Sequence, residues 1–152
     1  MKKIVMFLVV LLLSKVVFAQ GTTKPEELFS EYVALGEAFD IKLLEFYSDD
    51  AKISFYRVYP HGLERAMEFT AVEWKDLIVK MMPISKAKND ISTYSNIVIT
   101  ELDSGYKIKA DRYPERKCYT DTGYYMILKF ATNGQLMISE EYFETKPMPD
   151  CR

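Results

Sequence analysis

Residues 31–55, EYVALGEAFDIKLLEFYSDDAKISF, change their hydrophobic period halfway along, and that change decides the fold. On the N-terminal side, Leu28, Tyr32, Leu35 and Phe39 recur at helical spacing, and Val33 widens the stripe. Pro25 suits a first helical turn, and Glu26 and Glu27 suit its positive end. Asp40 has the chemistry of an N-cap, which predicts a second short helix over residues 41–46, with Leu43, Leu44, Phe46 and Tyr47 as its apolar contacts. Asp49-Asp50 reads as a turn. Beyond it the period is two. Ile53, Phe55 and Arg57 point one way, and Lys52, Ser54 and Tyr56 point the other, as in a half-buried strand.

Downstream, Tyr59-Pro60-His61-Gly62 turns the chain so that residues 65–69 return as a strand. Thr70 with Glu73 matches a capping box, and Val72, Trp74, Leu77, Ile78 and Met81 then form a helical stripe that should stop before Pro83. The remainder predicts strands over residues 91–102, 106–113, 119–131 and 135–145, with turns at Asp103-Ser104-Gly105 and Asn133-Gly134. Helices early and strands late predict an α+β domain, with three helices on one face of a curved, mostly antiparallel sheet.

The first residues, MKKIVMFLVVLLLSKVVFAQ, combine a basic start, an apolar run and a small-residue site after Ala19, the pattern of a secretory signal peptide. The alternative is an uncleaved anchor, but the run is short for a membrane span and Lys15 interrupts it. Cleavage predicts an exported chain, periplasmic or secreted, with no membrane attachment afterwards. It would have a polar, disordered N-terminus over 20–24, one domain over 25–146 and a tail over 147–152. Removing Lys2, Lys3 and Lys15 from the 20 basic residues leaves 17 against 22 acids, a net charge of −5 that offers no footprint for nucleic acid. Cys118 and Cys151 predict a disulfide in an oxidising compartment, tying the tail to the segment around Cys118. The alternative, a redox or metal pair, has neither CxxC spacing nor a neighbouring histidine.

The 31–55 stretch and the strand-turn-strand YYMILKFATNGQLMISEEYFE, residues 124–144, together resemble the nuclear transport factor 2-like superfamily, which includes ketosteroid isomerases, scytalone dehydratase and polyketide cyclases. The resemblance spans residues 25–145 and implies a cystatin-like cone, with the three helices packed on a strongly curved sheet around a hollow. It implies function only through the pocket. Tyr32 occupies a place similar to that of the isomerases' oxyanion-donating tyrosine. The place of their general base falls on Phe55, which cannot accept a proton. Asp111 is the nearest candidate for their second oxyanion donor. The dehydratase and cyclase types rely on histidine, and the single histidine here, His61, sits in a turn and reads as exposed.

The residues expected to line the cone are Tyr32, Phe55, Arg57, Trp74, Asp111, Tyr125 and Glu141. Asp49 and Asp50 could form an acid-base pair, but a solvated turn outside the cone is the preferred reading. The segment Asp111–Lys117, DRYPERK, reads as a solvated connection. Tyrosines are abundant, and Tyr94, Tyr106, Tyr124 and Tyr142 are expected on a sheet face that pairs two copies into a dimer. No familiar metal, phosphate-loop or hydrolase spacing occurs, so no cofactor or metal is expected. The sequence therefore predicts a non-catalytic binding or interaction module for a small apolar or amphipathic ligand, or for a protein contact. The competing prediction is a small cofactor-independent isomerase or dehydratase, with Tyr32 and Asp111 polarising a carbonyl and Glu141 as base.

Overall fold

The structure, a computed structural model, describes residues 24–147 and 151. The leader expected over 1–19 lies outside them. Pro25 opens helix α1 (Pro25–Glu37), with Glu26 and Glu27 in its first turn. Leu28 and Phe29 are buried beneath it. The helix ends as Phe39 swings to φ 55° and the Asp40 amide donates to the Leu35 carbonyl at 2.9 Å. Asp40 then accepts from the Lys42 amide at 2.9 Å and caps a 3-10 segment, Ile41–Phe46. As expected, one side chain turns the chain here.

Asp49 and Asp50 do not make the expected turn. They lie inside strand β1 (Tyr47–Val58), because the chain absorbs the change of direction as a slipped register. Tyr47 stands opposite Ile138 but Lys52 stands opposite Glu140, so extra residues bulge out between them. Both aspartates are exposed, and Asp49 lies 3.5 Å from Lys75. Strand β2 (Glu64–Thr70) returns antiparallel to β1 after a turn at Gly62, where φ is 83°.

Thr70 and Glu73 form the full capping box of helix α2 (Ala71–Lys88). This helix runs through Pro83 rather than stopping before it. Proline removes one amide bond to the carbonyl four residues back, Val79, whose residue is half exposed on the water-facing side. The real stop is Asn89, at φ 49°, where the Asp90 amide reaches the Ser85 carbonyl at 2.9 Å. The buried face also differs from the expected stripe. Ala71 and Trp74 are buried, whereas Val72 and Met81 are exposed.

Four more strands follow: β3 (Ser92–Leu102), β4 (Gly105–Pro114), β5 (Tyr125–Phe130) and β6 (Leu136–Thr145). The predicted strand over 119–131 is shortened because Asp121 takes backbone partners that a ladder would use. Its carboxylate accepts from the Gly123 and Glu144 amides, each at 2.9 Å. The curved six-stranded sheet has the order β2-β1-β6-β5-β4-β3, antiparallel except for the parallel β1–β6 pair. The core lies between its concave face and the helices, with Leu28, Ile53, Ile108, Met126, Leu128 and Ile138 fully buried.

Two backbone details set the site. Leu128 pairs with Ile138 but Ile127 pairs with Glu140, so Ser139 is an extra residue in β6. Its hydroxyl donates to the Ile127 carbonyl at 3.1 Å and fixes the bulge. Leu136 and Ile138 face inward before it. The extra residue reverses the alternation, so Glu141 and Phe143 face inward after it and Glu140 faces out. The second detail is Gly105, at φ 153°, where an added Cβ would sit 1.9 Å from the Leu128 carbonyl oxygen. Gly105→Ala should therefore lower unfolding stability by about 2–4 kcal/mol in a urea titration, since backbone cannot move aside as a side chain can.

Candidate functional site

The bulge delivers one acid to the centre of the molecule. Glu141 is 1% exposed. Tyr32 of α1 donates to its Oε1 at 3.0 Å, Tyr124 donates to the same oxygen at 2.9 Å, and Tyr47 at the start of β1 donates to Oε2. Tyr32 and Tyr47 also lie 3.1 Å apart, oxygen to oxygen. Burial pushes the Glu141 carboxyl above its ordinary pKa, and the three hydroxyls, each favouring the carboxylate, offset part of that rise. The tyrosines themselves are pushed well up, first by burial and then by the charge of Glu141.

Rings pack around this cluster. Phe55 lies 5.3 Å from Trp74, 5.4 Å from Phe69 and 3.8 Å from Phe143, centroid to centroid. Trp74 also meets Tyr47 at 6.4 Å. Its Nε1 is buried without a hydrogen bond of ordinary geometry, although it is near enough to the Tyr47 hydroxyl to oppose that group's rise in pKa. Arg112 closes the far side. It donates to Asp121 at 3.3 Å and to the Glu144 carbonyl at 3.1 Å, and its guanidinium lies 5.1 Å from the Phe143 ring centre.

The structure brings some of the expected positions together and places others apart. Tyr32, Phe55, Trp74 and Glu141 are brought together as above. Arg57 lies on the same face as Phe55 but donates to Thr145 at 3.0 Å, away from Glu141's partners. Asp111 and Tyr125 face outward. Along β4, Ile108 and Ala110 are buried, so Asp111 falls on the opposite face, where it accepts from Asn96 at 2.7 Å. Tyr125 stacks on Tyr142 at 5.2 Å, lies under Lys107 and donates to Glu140 at 2.6 Å. The pairing of Tyr32 with Asp111 around one carbonyl is therefore not formed. The DRYPERK segment is not merely a solvated connection either, because its Arg112 is deep in the fold. Tyr94 and Tyr124 point inward, not onto a pairing face, with rings 5.1 Å apart. His61 is exposed beside Tyr59.

The sequence reading missed Tyr47, Tyr124 and Arg112. For Arg112 a signal exists, since it shares alternation with Ile108 and Ala110 while Lys107, Lys109 and Asp111 share the other. Cys118 and Cys151 form a disulfide with Cα atoms 6.1 Å apart. Among the described residues no group of three or more metal-ligating side chains converges, and no helix is long and apolar enough to cross a membrane.

Rings pack around Glu141, and the concavities among the described residues include one of about 430 Å³ beside Asp49, Asp50, Lys52 and Phe69. A groove of about 490 Å³ runs between α1 and β3, walled by Phe29, Val33, Tyr94, Ile97 and Ile99. A smaller hollow of about 150 Å³ adjoins it across Val33 and Tyr94 and is lined by Tyr32. Tyr32 thus touches open space on one side and the buried acid on the other.

No protein-family model and no curated protein matches this chain. Solved structures do. One is a nuclear transport factor 2-like protein of unknown function from Pseudomonas putida, at 12% identity and TM-score 0.59, covering 78% of this chain and 82% of that one. Another, from Shewanella oneidensis, also of unknown function, has 12% identity and TM-score 0.56 over 79% of this chain and 95% of that one. A candidate ketosteroid isomerase from Shewanella frigidimarina has 11% identity and TM-score 0.53 over 77% and 91%. At these identities the likeness shows the fold alone, and the fold is the one that the sequence resembles.

Proposed function

We propose that this chain, whose fold is nuclear transport factor 2-like, is an exported binding module that holds a small apolar or amphipathic ligand and does no chemistry on it. The observation that carries this reading is the separation of acid from opening. The acid in the cone is held under three tyrosine hydroxyls, while the apolar groove between α1 and β3 is a concavity that a ligand can enter. By the resemblance, the place of the isomerases' base falls on Phe55, whose ring packs against Phe143 and Trp74. The disulfide is compatible with an oxidising compartment.

Native mass spectrometry of protein purified from its host is the test. The expected result is a retained small molecule that is lost in a Ser30→Trp variant, which plugs the groove from an exposed helix position. A ligand-free protein with no affinity in a metabolite screen would remove the reading. A second reading is a small isomerase or dehydratase, and it rests on Tyr32, which lines the smaller hollow and also holds Glu141. It requires turnover of a carbonyl substrate that Tyr32→Phe abolishes. The outer sheet face, with its Tyr125–Tyr142 stack, is the proposed surface for a second copy, and sedimentation should then show a dimer.

A further inference from the structure

We infer that the ligand of the α1–β3 groove is a cationic amphiphile: an apolar body ending in a protonated amine, with the ammonium seated at Glu37. The inference rests on the binding reading above and adds the chemistry of the occupant. The groove walls decide the body. Phe29, Val33, Ile97 and Ile99 present hydrocarbon, and Ile97 is 48% exposed, so an apolar occupant would cover surface that water now wets.

The rim decides the head. Every charged residue among the described lining of the groove is acidic, Glu26 at one end of α1 and Glu37 at the other. The adjoining hollow shares Glu37 and adds Asp90, again with no basic residue. A fatty acid or other anionic amphiphile would bring its charge against these carboxylates; an ammonium would be attracted by them. The two glutamates stand about 16 Å apart along the helix axis, so one head cannot serve both. Glu26 already feels the positive charge of Lys24, whereas Glu37 sits where the two hollows meet and Asp90 adds to the field. Tyr94 lines both hollows, as Glu37 does, and an aromatic ring attracts a cation by its quadrupole.

The test is a matched set of probes, octylamine, octanol and octanoate, titrated calorimetrically into the mature protein at neutral pH and low salt. The three share one tail, so differences report the head. Octylamine should bind about tenfold more tightly than octanol, the combined scale of a rim ion pair and a cation–aromatic contact, with octanoate weakest. The preference should shrink as salt is raised. Glu37→Gln, at an exposed position, should bring octylamine close to octanol and leave octanol unchanged. Octanol or octanoate binding the native protein as tightly as octylamine would overturn the amine assignment while leaving the groove as the binding site. Failure of all three probes, or binding that Ser30→Trp does not affect, would overturn the binding reading and this inference with it.

Discussion

Replacing Glu141 by alanine should lower the unfolding free energy by about 3–5 kcal/mol, read from the urea midpoint followed by Trp74 fluorescence. The loss does not come from the carboxyl's own worth. The variant removes the acceptor shared by the hydroxyls of Tyr32, Tyr47 and Tyr124; Tyr32 and Tyr47 can meet one donor between themselves, and each buried donor left unmet costs about 1–3 kcal/mol. These tyrosines come from α1, from the start of β1 and from the lead into β5, so one acid ties together three parts of the chain distant in sequence. Glu141→Gln keeps an acceptor at nearly the same place and should lose much less.

The glutamine variant also isolates a pH effect whose sign is fixed. Burial raises the folded-state pKa of Glu141 above its ordinary value of 4.5. Its contribution is therefore fully present below about pH 4.5 and is lost as pH rises through the folded value, because the interior then holds a charge it solvates poorly. Asp50 and Glu73 act in the opposite sense. Hydrogen bonds from Ser48 and Thr70 hold them below their ordinary values, so what they add is lost as pH falls. Both are fully exposed, and they are common to the native chain and the variant. Subtracting the Glu141→Gln profile from the native one should leave a curve that declines above pH 4.5. A flat difference would show that the three hydroxyls fully offset the burial.

The parts of this fold that could be read from sequence are those whose cause is local. Asp40 caps the 3-10 segment two residues away, and Thr70 and Glu73 close their box across three residues; both are printed in the chain. The parts that could not be read depend on a partner strand. Nothing around Ser139 announces a bulge, because the extra residue exists only relative to Ile127 and Leu128 across the ladder. Yet that bulge decides whether Glu140 or Glu141 enters the core. Glu141 was legible as an inward-facing position, but its partners were not, since Tyr47, Tyr124 and Tyr32 meet it only through pairing across as many as 109 residues. Pro83 failed for a different reason. Its local rule is sound, but it sits on an exposed side of α2 where water can serve the freed Val79 carbonyl.

Reducing the Cys118–Cys151 bridge should cost up to about 4 kcal/mol, nearly all of it through the unfolded chain. The bond closes a loop of 33 residues in sequence separation that contains β5 and β6, and the chain-entropy relation gives about that figure for such a loop. In the folded state little depends on it directly. Both cysteines are exposed, and the tail is also held by a hydrogen bond from the Cys151 amide to the Arg116 carbonyl at 2.9 Å. Cys118 adopts φ 47°, a left-handed conformation that a serine in its place would have to keep, so Cys151→Ser is the cleaner single change. If the effect lies in the unfolded ensemble, reductant should lower the urea midpoint and raise the m-value together, because a chain freed of its loop exposes more surface. The near-ultraviolet signal of the folded protein should not change. A loss of that signal on reduction, before any urea is added, would instead mean that the bridge holds Arg112 and Asp121 in register, and the cost would belong to the folded state.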